Sequence, residues 1–299
     1  MCRPSSVVVG MDLGALFELA SHGPDTFVGV GPRYPWGGLF GGQIVAQALR
    51  AASGTVDPEL DPHSLRAYFI RRGDHTEPIR YEVDRIRDGR SFCTRRVVAR
   101  QAIGAILNLE ASFQRPEPAP DLQTVFMPTG IPGPDECAED TWTTSFARRP
   151  VLRAALLGAG ALGAGRVAAW LKVNDVVAAD ELVHRCWLAY MSDDMPTDSV
   201  RHALAESEVP PVTDVDTWWQ GSFAASLDHT VWFHRPMRVD EWHLYDFVCH
   251  SYVGGRGVSV GHVFTTGGMH VATVAQEVLL RRGPRDAAAV PEAAPTSSE

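Results

Sequence analysis

Several side chains able to do chemistry follow one another at residues 226–235, which read Ser-Leu-Asp-His-Thr-Val-Trp-Phe-His-Arg. Apolar and polar residues alternate here with a period of two, which is typical of a β-strand. On this pattern Ser226, Asp228 and Trp232 share the polar face, and His229 is the exception on the apolar face. Such a strand lines either a binding site or the wet side of a sheet, and the alternation alone leaves both readings open.

The same stretch, followed by Glu241-Trp242 and Tyr245, resembles the second-half signature of the TesB-type (type II) acyl-CoA thioesterases. A second resemblance lies at residues 39–47, because Phe-Gly-Gly-Gln opens the central helix of the first hot-dog unit in that family. The resemblance covers residues 39–114 and 182–282. It implies an α+β double hot-dog fold, in which two fused units each wrap a long central helix in an antiparallel sheet.

Matched residue by residue, the resemblance implies a catalytic set of Asp193, Ser226 and Gln276. These residues stand in Tyr-x-Ser-Asp, Ser-Leu-Asp-His and Val-Ala-Gln-Glu respectively. In the family they hold a water against the thioester carbonyl. A carboxylate accepts a proton, while a hydroxyl and an amide both donate and accept hydrogen bonds. The implied reaction is therefore hydrolysis of acyl-CoA to free fatty acid and CoA, by direct attack of the held water.

Each of the three also has a physical argument of its own. Gln276 shares its predicted strand face with an apolar row formed by Ala272, Val274, Val278 and Leu280. An unpartnered amide there costs about 1–3 kcal/mol, so we expect Gln276 to be hydrogen-bonded. We expect Ser226 on the polar face of its strand, and Asp193 where a helix N-terminus stabilises a carboxylate. Taken singly, each has a more ordinary interpretation. Gln276 would be a hydrogen-bonded amide of the core, Ser226 a hydroxyl on a paired β-strand, and Asp193 a helix cap.

Four further residues are candidates for binding the substrate. Gly41 and Gly42 open a helix whose unpaired N–H groups can face a ligand. A phosphate loop is a poor reading of these glycines, since no Gly-Lys-Ser/Thr follows. Asp228 lies two positions after Ser226. His63 begins a predicted strand beside the buried helix and could act as a base, although a structural role is more common for such a histidine.

The first half predicts a helix from Gly42, apolar nearly all round and therefore buried. Four strands follow, over residues 63–71, 79–86, 91–100 and 105–114, with Asp-Gly-Arg at 88–90 as a hairpin turn. Part of this pattern recurs. Phe-x-Arg at 69–71 matches 233–235 at an offset of 233 − 69 = 164, and Gly-Arg at 89–90 matches 255–256 at 255 − 89 = 166. We therefore expect a fused duplicate, with a second central helix starting near Asp193.

These patterns divide the chain into four parts. Residues 11–115 form the first predicted hot-dog unit and residues 176–283 the second. Residues 116–175, rich in Pro and Gly and without a clear period, are interpreted as a linker with a partly helical segment. The Pro- and Ala-rich residues 284–299 have little to bury and are expected to be disordered.

Composition excludes several classes of protein. A net charge of −9 over 299 residues argues against a nucleic-acid binder. No apolar run is long enough to span a membrane, and no signal peptide is expected. The five cysteines are scattered, which favours reduced thiols in a cytoplasm and gives no metal site. We expect no cofactor, an acyl-CoA substrate as the partner, and a homodimer or homotetramer.

Three other functions are alternatives to hydrolysis by a held water. A serine hydrolase would need a Gly-x-Ser-x-Gly elbow, which the chain lacks. A hot-dog enoyl-CoA hydratase shares the fold and substrate class, but that family pairs an Asp with a His a few residues later, and the nearest His after Asp193 is His202. A non-catalytic acyl-CoA binding module belongs to a different class, and a thioester cleavage assay would separate it from an enzyme.

Overall fold

The computed structural model describes residues 14–34, 36–158, 165–178, 180–208, 211–215, 219 and 221–281. The first half contains one helix, six strands and a 3-10 turn at Gly14–Phe17. These elements are β1 (Ala20–Ser21), β2 (Thr26–Gly29), α1 (Gly41–Ser53), β3 (Asp61–Phe69), β4 (Ile79–Asp88), β5 (Phe92–Gln101) and β6 (Gly104–Gln114). All four strands predicted after the buried helix are present, and each ends within three residues of its expected bounds.

The second half contains three helices and seven strands among the described residues, after a 3-10 turn at Pro134–Glu136. They are β7 (Phe146–Pro150), α2 (Arg153–Gly158), β8 (Val167–Val173), α3 (Glu181–Met191), α4 (Pro196–Ser207), β9 (Phe223–Ser226), β10 (Asp228–Phe233), β11 (His243–Val253), β12 (Arg256–Thr265) and β13 (His270–Arg281).

All strands join one antiparallel sheet that is symmetric about its middle. The order is β1-β2-β4-β5-β6-β3-β10-β13-β12-β11-β8-β7, with β9 also paired to β13. Read outward from the β3–β10 junction, each strand of the first half has its counterpart in the second. Pairing β3 with β10 joins the two halves without leaving a free edge between them. The α+β double hot-dog prediction is confirmed.

Three pairs of corresponding β-bulges support the duplication. Each bulge is one extra residue in a strand, and it changes which face the following side chains occupy. His63 in β3 corresponds to Leu227 between β9 and β10, at 227 − 63 = 164. Ile86 in β4 corresponds to His250 in β11, at 250 − 86 = 164. Ile106 in β6 corresponds to Val271 in β13, at 271 − 106 = 165. The offset found in the sequence is thus repeated in the backbone.

Helices α1, α3 and α4 lie against one face of this sheet. α1 packs on β3, β4, β5 and β6, and it also packs lengthwise on α3. α4 packs on β11, β12 and β13 and therefore takes the place that α1 has in the first half. Ten of the thirteen residues of α1 are buried, as its nearly uniform apolar character predicts.

The structure corrects two predictions. The second helical region is a pair of helices, α3 and α4, and Asp193 lies in the turn between them. Residues 116–175 also contain two strands that the linker interpretation missed. β8 pairs with β11 and is buried on both faces, so it shows no polar alternation, and β7 is only five residues long. Residues 11–13 and 284–299 lie outside the described residues.

No helix in the part of the chain that the structure describes is long and apolar enough to cross a membrane.

Candidate active site

A bulge in the strand from β9 to β10 brings the site together. Ser226 pairs with Val278 and Thr230 with Ala275, so the first strand advances four residues while β13 advances three. Leu227 is the extra residue. Because of it, Ser226 and His229 both point to the inner face of the sheet, toward Gln276.

The predicted face of Ser226 was therefore wrong. Strict alternation placed Ser226 with Asp228 and Trp232, but the bulge separates them. Asp228 accepts a hydrogen bond from the Glu277 backbone N–H at 2.7 Å, and Trp232 is 42% exposed on the outer face.

Asp193, Ser226 and Gln276 meet in one hydrogen-bonded group. Gln276 Nε2 donates to Ser226 Oγ at 2.7 Å, and Ser226 Oγ donates to Asp193 Oδ1 at 3.2 Å. The backbone N–H of Gly42 donates to Asp193 Oδ2 at 2.9 Å. Gln276 is 1% exposed, and the expectation that its buried amide would be hydrogen-bonded is confirmed.

Two glycines allow this approach between the halves of the chain. A Cβ on Gly41 would lie 2.5 Å from Asp193 Oδ2, and a Cβ on Gly42 would lie 2.2 Å from the Tyr190 carbonyl oxygen. Any side chain at either position would push α1 away from the turn that carries Asp193. Gly41 and Gly42 therefore contribute through close packing and through one N–H donor.

The helix terminus that holds the Asp193 carboxylate belongs to the other half. The expectation was a helix N-terminus beside Asp193, and α4 does begin three residues later, at Pro196. The bonded N–H, however, is that of Gly42, the second residue of α1. Free N–H groups and the helix dipole favour negative charge there. The first half thus supplies a direct contact to the candidate base.

Burial dominates the electrostatics of Asp193. It raises the pKa of the carboxyl from 3.8 to about 7, because the charged form loses its hydration. Hydrogen bonds from Gln276, Ser226 and Gly42 act in the opposite direction, and the neighbouring charge of Asp194 adds to the rise. A carboxyl that titrates near neutral pH is well matched to general-base work.

His229 extends the group away from Asp193. The ring is fully buried, and its Nδ1 lies 2.5 Å from Gln276 Oε1 while its Nε2 lies 2.8 Å from Ser192 Oγ. Burial lowers the pKa of His229 to about 4, so the ring is neutral at physiological pH. A neutral ring with one N–H and one lone pair joins a donor to an acceptor.

A buried ion pair holds the turn that carries Asp193. The carboxylate of Asp194 accepts from Arg148 Nε at 2.8 Å and from Trp142 Nε1 at 2.5 Å. The Arg148 and Asp194 side chains are only 8% and 5% exposed. Arg148 lies on β7, inside the segment interpreted as a linker, so this part of the chain fixes the position of the site.

Two predicted substrate-binding residues lie outside the hydrogen-bonded group. His63 bonds Ser112 Oγ through its Nε2 at 2.8 Å and packs edge-on against Phe92. Burial lowers the pKa of His63. Asp228 bonds Glu277 and faces Arg66 across 3.8 Å. Their roles in substrate binding stay predictions.

The sequence interpretation missed Ser192 and Arg148, and it named His229 only as a further candidate for which a structural role is more common. A signal existed for Ser192, since it directly precedes Asp193. Arg148 carried no such signal. Among the described residues, no group of three or more His, Cys, Asp or Glu side chains is arranged to hold a metal ion.

Comparison with known proteins shows the family of this chain. A family model described as the acyl-CoA thioesterase N-terminal domain matches residues 31–114, and one described as the acyl-CoA thioesterase C-terminal domain matches residues 116–280. The chain belongs to the acyl-CoA thioesterase family. Among curated members of that family, acyl-coenzyme A thioesterase 8 of Rattus norvegicus is 33% identical over 276 residues, covering 83% of this chain and 81% of the relative.

Two further members of the acyl-CoA thioesterase family are similar over most of their length. Acyl-CoA thioesterase 2 of Haemophilus influenzae is 33% identical over 260 residues, covering 81% of this chain and 87% of the relative. The crystal structure of the acyl-CoA thioesterase II TesB2 from Mycobacterium marinum matches with a TM-score of 0.75 and 35% identity, covering 91% of this chain and 97% of that one.

Proposed function

We propose that this chain hydrolyses acyl-CoA thioesters with a water held between Asp193, Ser226 and Gln276. The observation that carries the proposal is the hydrogen-bonded group that joins these three side chains at the N-terminus of α1. Family membership supplies the substrate class, and the geometry supplies a base, a hydroxyl and an amide at one point.

In the proposed reaction, ionised Asp193 accepts a proton from the water as the water oxygen attacks the thioester carbonyl carbon. Ser226 and Gln276 orient that water through hydrogen bonds. The tetrahedral intermediate then expels the CoA thiolate, which takes the proton from Asp193. The products are a carboxylic acid and CoA thiol, and Asp193 returns to its ionised form.

Negative charge develops on the thioester oxygen in this reaction and needs hydrogen-bond donors. The N-terminus of α1 is the nearest group of backbone donors, since the Gly42 N–H already contacts Asp193. We place the carbonyl oxygen against this helix terminus. Gly41 and Gly42 would then serve substrate binding by leaving room for a carbonyl beside the backbone.

Thiol release from purified protein tests this function. Acyl-CoA substrates of increasing chain length are incubated with the wild type and with Asp193→Asn, and free CoA thiol is measured. The wild type should release thiol and the variant should be slower by about 10² or more, with substrate binding retained. Conversion of enoyl-CoA to 3-hydroxyacyl-CoA without thiol would favour the hydratase, and binding without turnover would favour the non-catalytic module.

The position of the new oxygen atom tests for an acyl-enzyme that forms by attack of the Asp193 carboxylate and is hydrolysed at its aspartyl carbon. A single turnover is run in ¹⁸O-labelled water with enzyme in excess. Water attack places one ¹⁸O atom in the carboxylic acid and none in Asp193. An acyl-enzyme anhydride hydrolysed at the aspartyl carbon would leave ¹⁸O in Asp193, which mass spectrometry of the digested protein would detect.

Oligomeric state and location stay as the sequence predicted them: a homodimer or homotetramer in the cytoplasm. Light scattering on the purified chain measures the first directly.

A further inference from the structure

His229 is fully buried and bonded at both ring nitrogens, yet it does not belong to the three residues proposed to hold the water. A polar ring in this position costs desolvation free energy that its hydrogen bonds must offset. Its contacts reach Gln276 on one side and Ser192 on the other. Ser192 ends α3 and immediately precedes Asp193 in the chain.

The direction of each hydrogen bond follows from the chemistry of the partners. Gln276 Nε2 donates to Ser226 Oγ, so the amide oxygen Oε1 faces His229. A carbonyl oxygen only accepts, and therefore His229 Nδ1 must carry a hydrogen. In a neutral ring Nε2 then has a lone pair, and the Ser192 hydroxyl donates its hydrogen to Nε2 at 2.8 Å rather than to the Ala189 carbonyl oxygen, which lies 3.1 Å away.

The result is a chain of hydrogen bonds that all run the same way. It starts at the Ser192 hydroxyl and passes through the side chains of His229, Gln276 and Ser226 to the carboxylate of Asp193.

We propose that His229 and Ser192 are positioning residues that lock the Gln276 amide with its N–H₂ group turned toward Ser226 and Asp193. The proposal rests on the proposed function, in which the Gln276 amide orients the attacking water.

A lock is needed because the two ends of an amide have nearly the same shape. If the Gln276 amide were flipped, Oε1 would face Ser226 Oγ, whose hydrogen is already donated to Asp193. Two acceptors would then meet beside a carboxylate. The His229 Nδ1–H prevents this, because a donor can bond only the carbonyl oxygen of the amide. It therefore favours the orientation in which Oε1 faces His229.

Two substitutions at His229 separate the donor from the ring that carries it. In Asn the amide nitrogen is attached to Cγ, as Nδ1 is in His, so His229→Asn keeps a donor for Gln276. His229→Leu has a similar branch point and no donor. We expect His229→Leu to lower kcat by about 10², the loss typical of one oriented donor, with KM nearly unchanged. His229→Asn should stay within about fivefold of wild type.

Ser192→Ala removes the start of the chain but leaves the Nδ1 donor in place, so we expect a smaller loss of kcat than in His229→Leu. The matched control is Ser199→Ala. Ser199 is an equally buried serine whose hydroxyl bonds Ser259 Oγ at 2.6 Å, on α4 and outside the chain of hydrogen bonds. It should leave kcat within about twofold.

The pH profile gives a readout that a purely structural role would not move. The groups that set the titration of Asp193 are Gln276, Ser226 and Gly42, which donate to it, and Asp194, whose charge opposes ionisation. If His229→Leu lets the amide turn away, one donor is lost and the acidic limb of kcat/KM moves to higher pH. In His229→Asn this limb should stay where it is in wild type.

The tautomer of His229 can be observed in the wild-type protein, with a variant needed only to assign the signal. Long-range ¹H–¹⁵N spectra distinguish the two neutral tautomers of a histidine ring, and the signal missing from His229→Asn identifies the residue. The proposal requires the hydrogen on Nδ1, whereas free histidine prefers it on Nε2. A ring protonated at Nε2 would overturn the proposal, even if His229→Leu fails to fold.

The outcomes also separate this proposal from the proposed function. If His229→Leu keeps wild-type kcat and pH profile while Asp193→Asn is inactive, the positioning role is overturned and hydrolysis stands. If the wild type releases no thiol, the proposed function fails, and the Nδ1 tautomer still decides whether the amide is locked.

Discussion

At the scale of single residues, two opposing effects set the pKa of the Asp193 carboxyl. Burial raises the pKa of its carboxyl to about 7, and three donors from Gln276, Ser226 and Gly42 oppose that rise. Without the donors a buried carboxyl would stay protonated and could not act as a base at neutral pH. The same three donors are also the groups proposed to surround the water and the thioester oxygen.

This balance predicts a pH dependence of both rate and stability. Since only ionised Asp193 accepts a proton, kcat/KM should rise as the pH increases through about 7. The folded-state pKa is raised above the ordinary 3.8, so the protonated carboxyl stabilises the fold fully below 3.8 and that contribution is lost as the pH rises through about 7.

Asp193→Asn should therefore be more stable than wild type at pH 8, by at least about 2 °C in Tm. At pH 4 the difference should shrink, because wild-type Asp193 is then protonated as well. Thermal melting at the two pH values measures this. An equal or lower Tm for the variant at pH 8 would show that the carboxylate does not oppose folding.

The sequence was sufficient to name three candidate residues that the fold brings together and insufficient for their orientation. Asp193, Ser226 and Gln276 were all placed by motif. Strict alternation nevertheless assigned Ser226 to the same face as Asp228 and Trp232, because one extra residue at Leu227 cannot be read from the spacing of apolar side chains. The contact between Asp193 and Gly42 on α1 could not be predicted from the sequence either, since the two residues lie 151 positions apart along the chain.

At the scale of elements, β7 is the part that sequence patterns could not interpret. A five-residue strand that contains Arg148 and Arg149 has neither the length nor the alternation of a typical strand. The strand holds the turn that carries Asp193 through the contact of Arg148 with Asp194, which lies 46 positions later in the chain. By contrast, α1 and the four strands after it have strong local patterns, and their bounds followed from the sequence within a few residues.

Arg148→Ala should be strongly destabilising. It leaves the Asp194 carboxylate buried and without its main cation, a change that typically costs about 3–5 kcal/mol. The charge of Asp194 also opposes ionisation of Asp193, so the acidic limb of the pH profile should move to higher pH. Denaturant unfolding and kcat/KM against pH measure the two effects.

Two variants control for this result. Arg96→Ala breaks the Arg96–Asp84 ion pair, in which both side chains are about half exposed, and should cost at most about 1 kcal/mol. Arg148→Met combined with Asp194→Asn removes both buried charges and should recover much of the stability. A loss as small as that of Arg96→Ala would contradict the role given to β7.

At the scale of the whole molecule, the two halves meet at the candidate site. The backbone of β3 pairs with that of β10, α1 packs on α3, and Gly42 from one half contacts Asp193 from the other. The duplication itself was predictable because two short motifs recur at almost one offset. The pairing of β3 with β10, which merges the two sheets, could not be predicted, since nothing local in either strand identifies its partner.

A cut between the halves should leave the enzyme active. Residues 116–120 connect β6 to the second half and are exposed and without secondary structure. Such a segment is suitable for the insertion of a protease site. After cleavage the fragments should elute together and retain kcat, since pairing and packing hold them. Each fragment refolded alone should be inactive. An active single fragment would contradict a site shared between the halves.

The central claim is that Asp193, Ser226 and Gln276 hold one water, and a double-mutant cycle on kcat tests it most directly. Asp193→Asn and Gln276→Ala are measured singly and together, with folded content checked by thermal melting. Residues that act as a unit give strongly non-additive effects. We predict that Asp193→Asn lowers kcat by about 10² or more and that adding Gln276→Ala lowers it little further. A double variant whose loss equals the product of the two single losses, or an Asp193→Asn variant nearly as active as wild type, would contradict the claim.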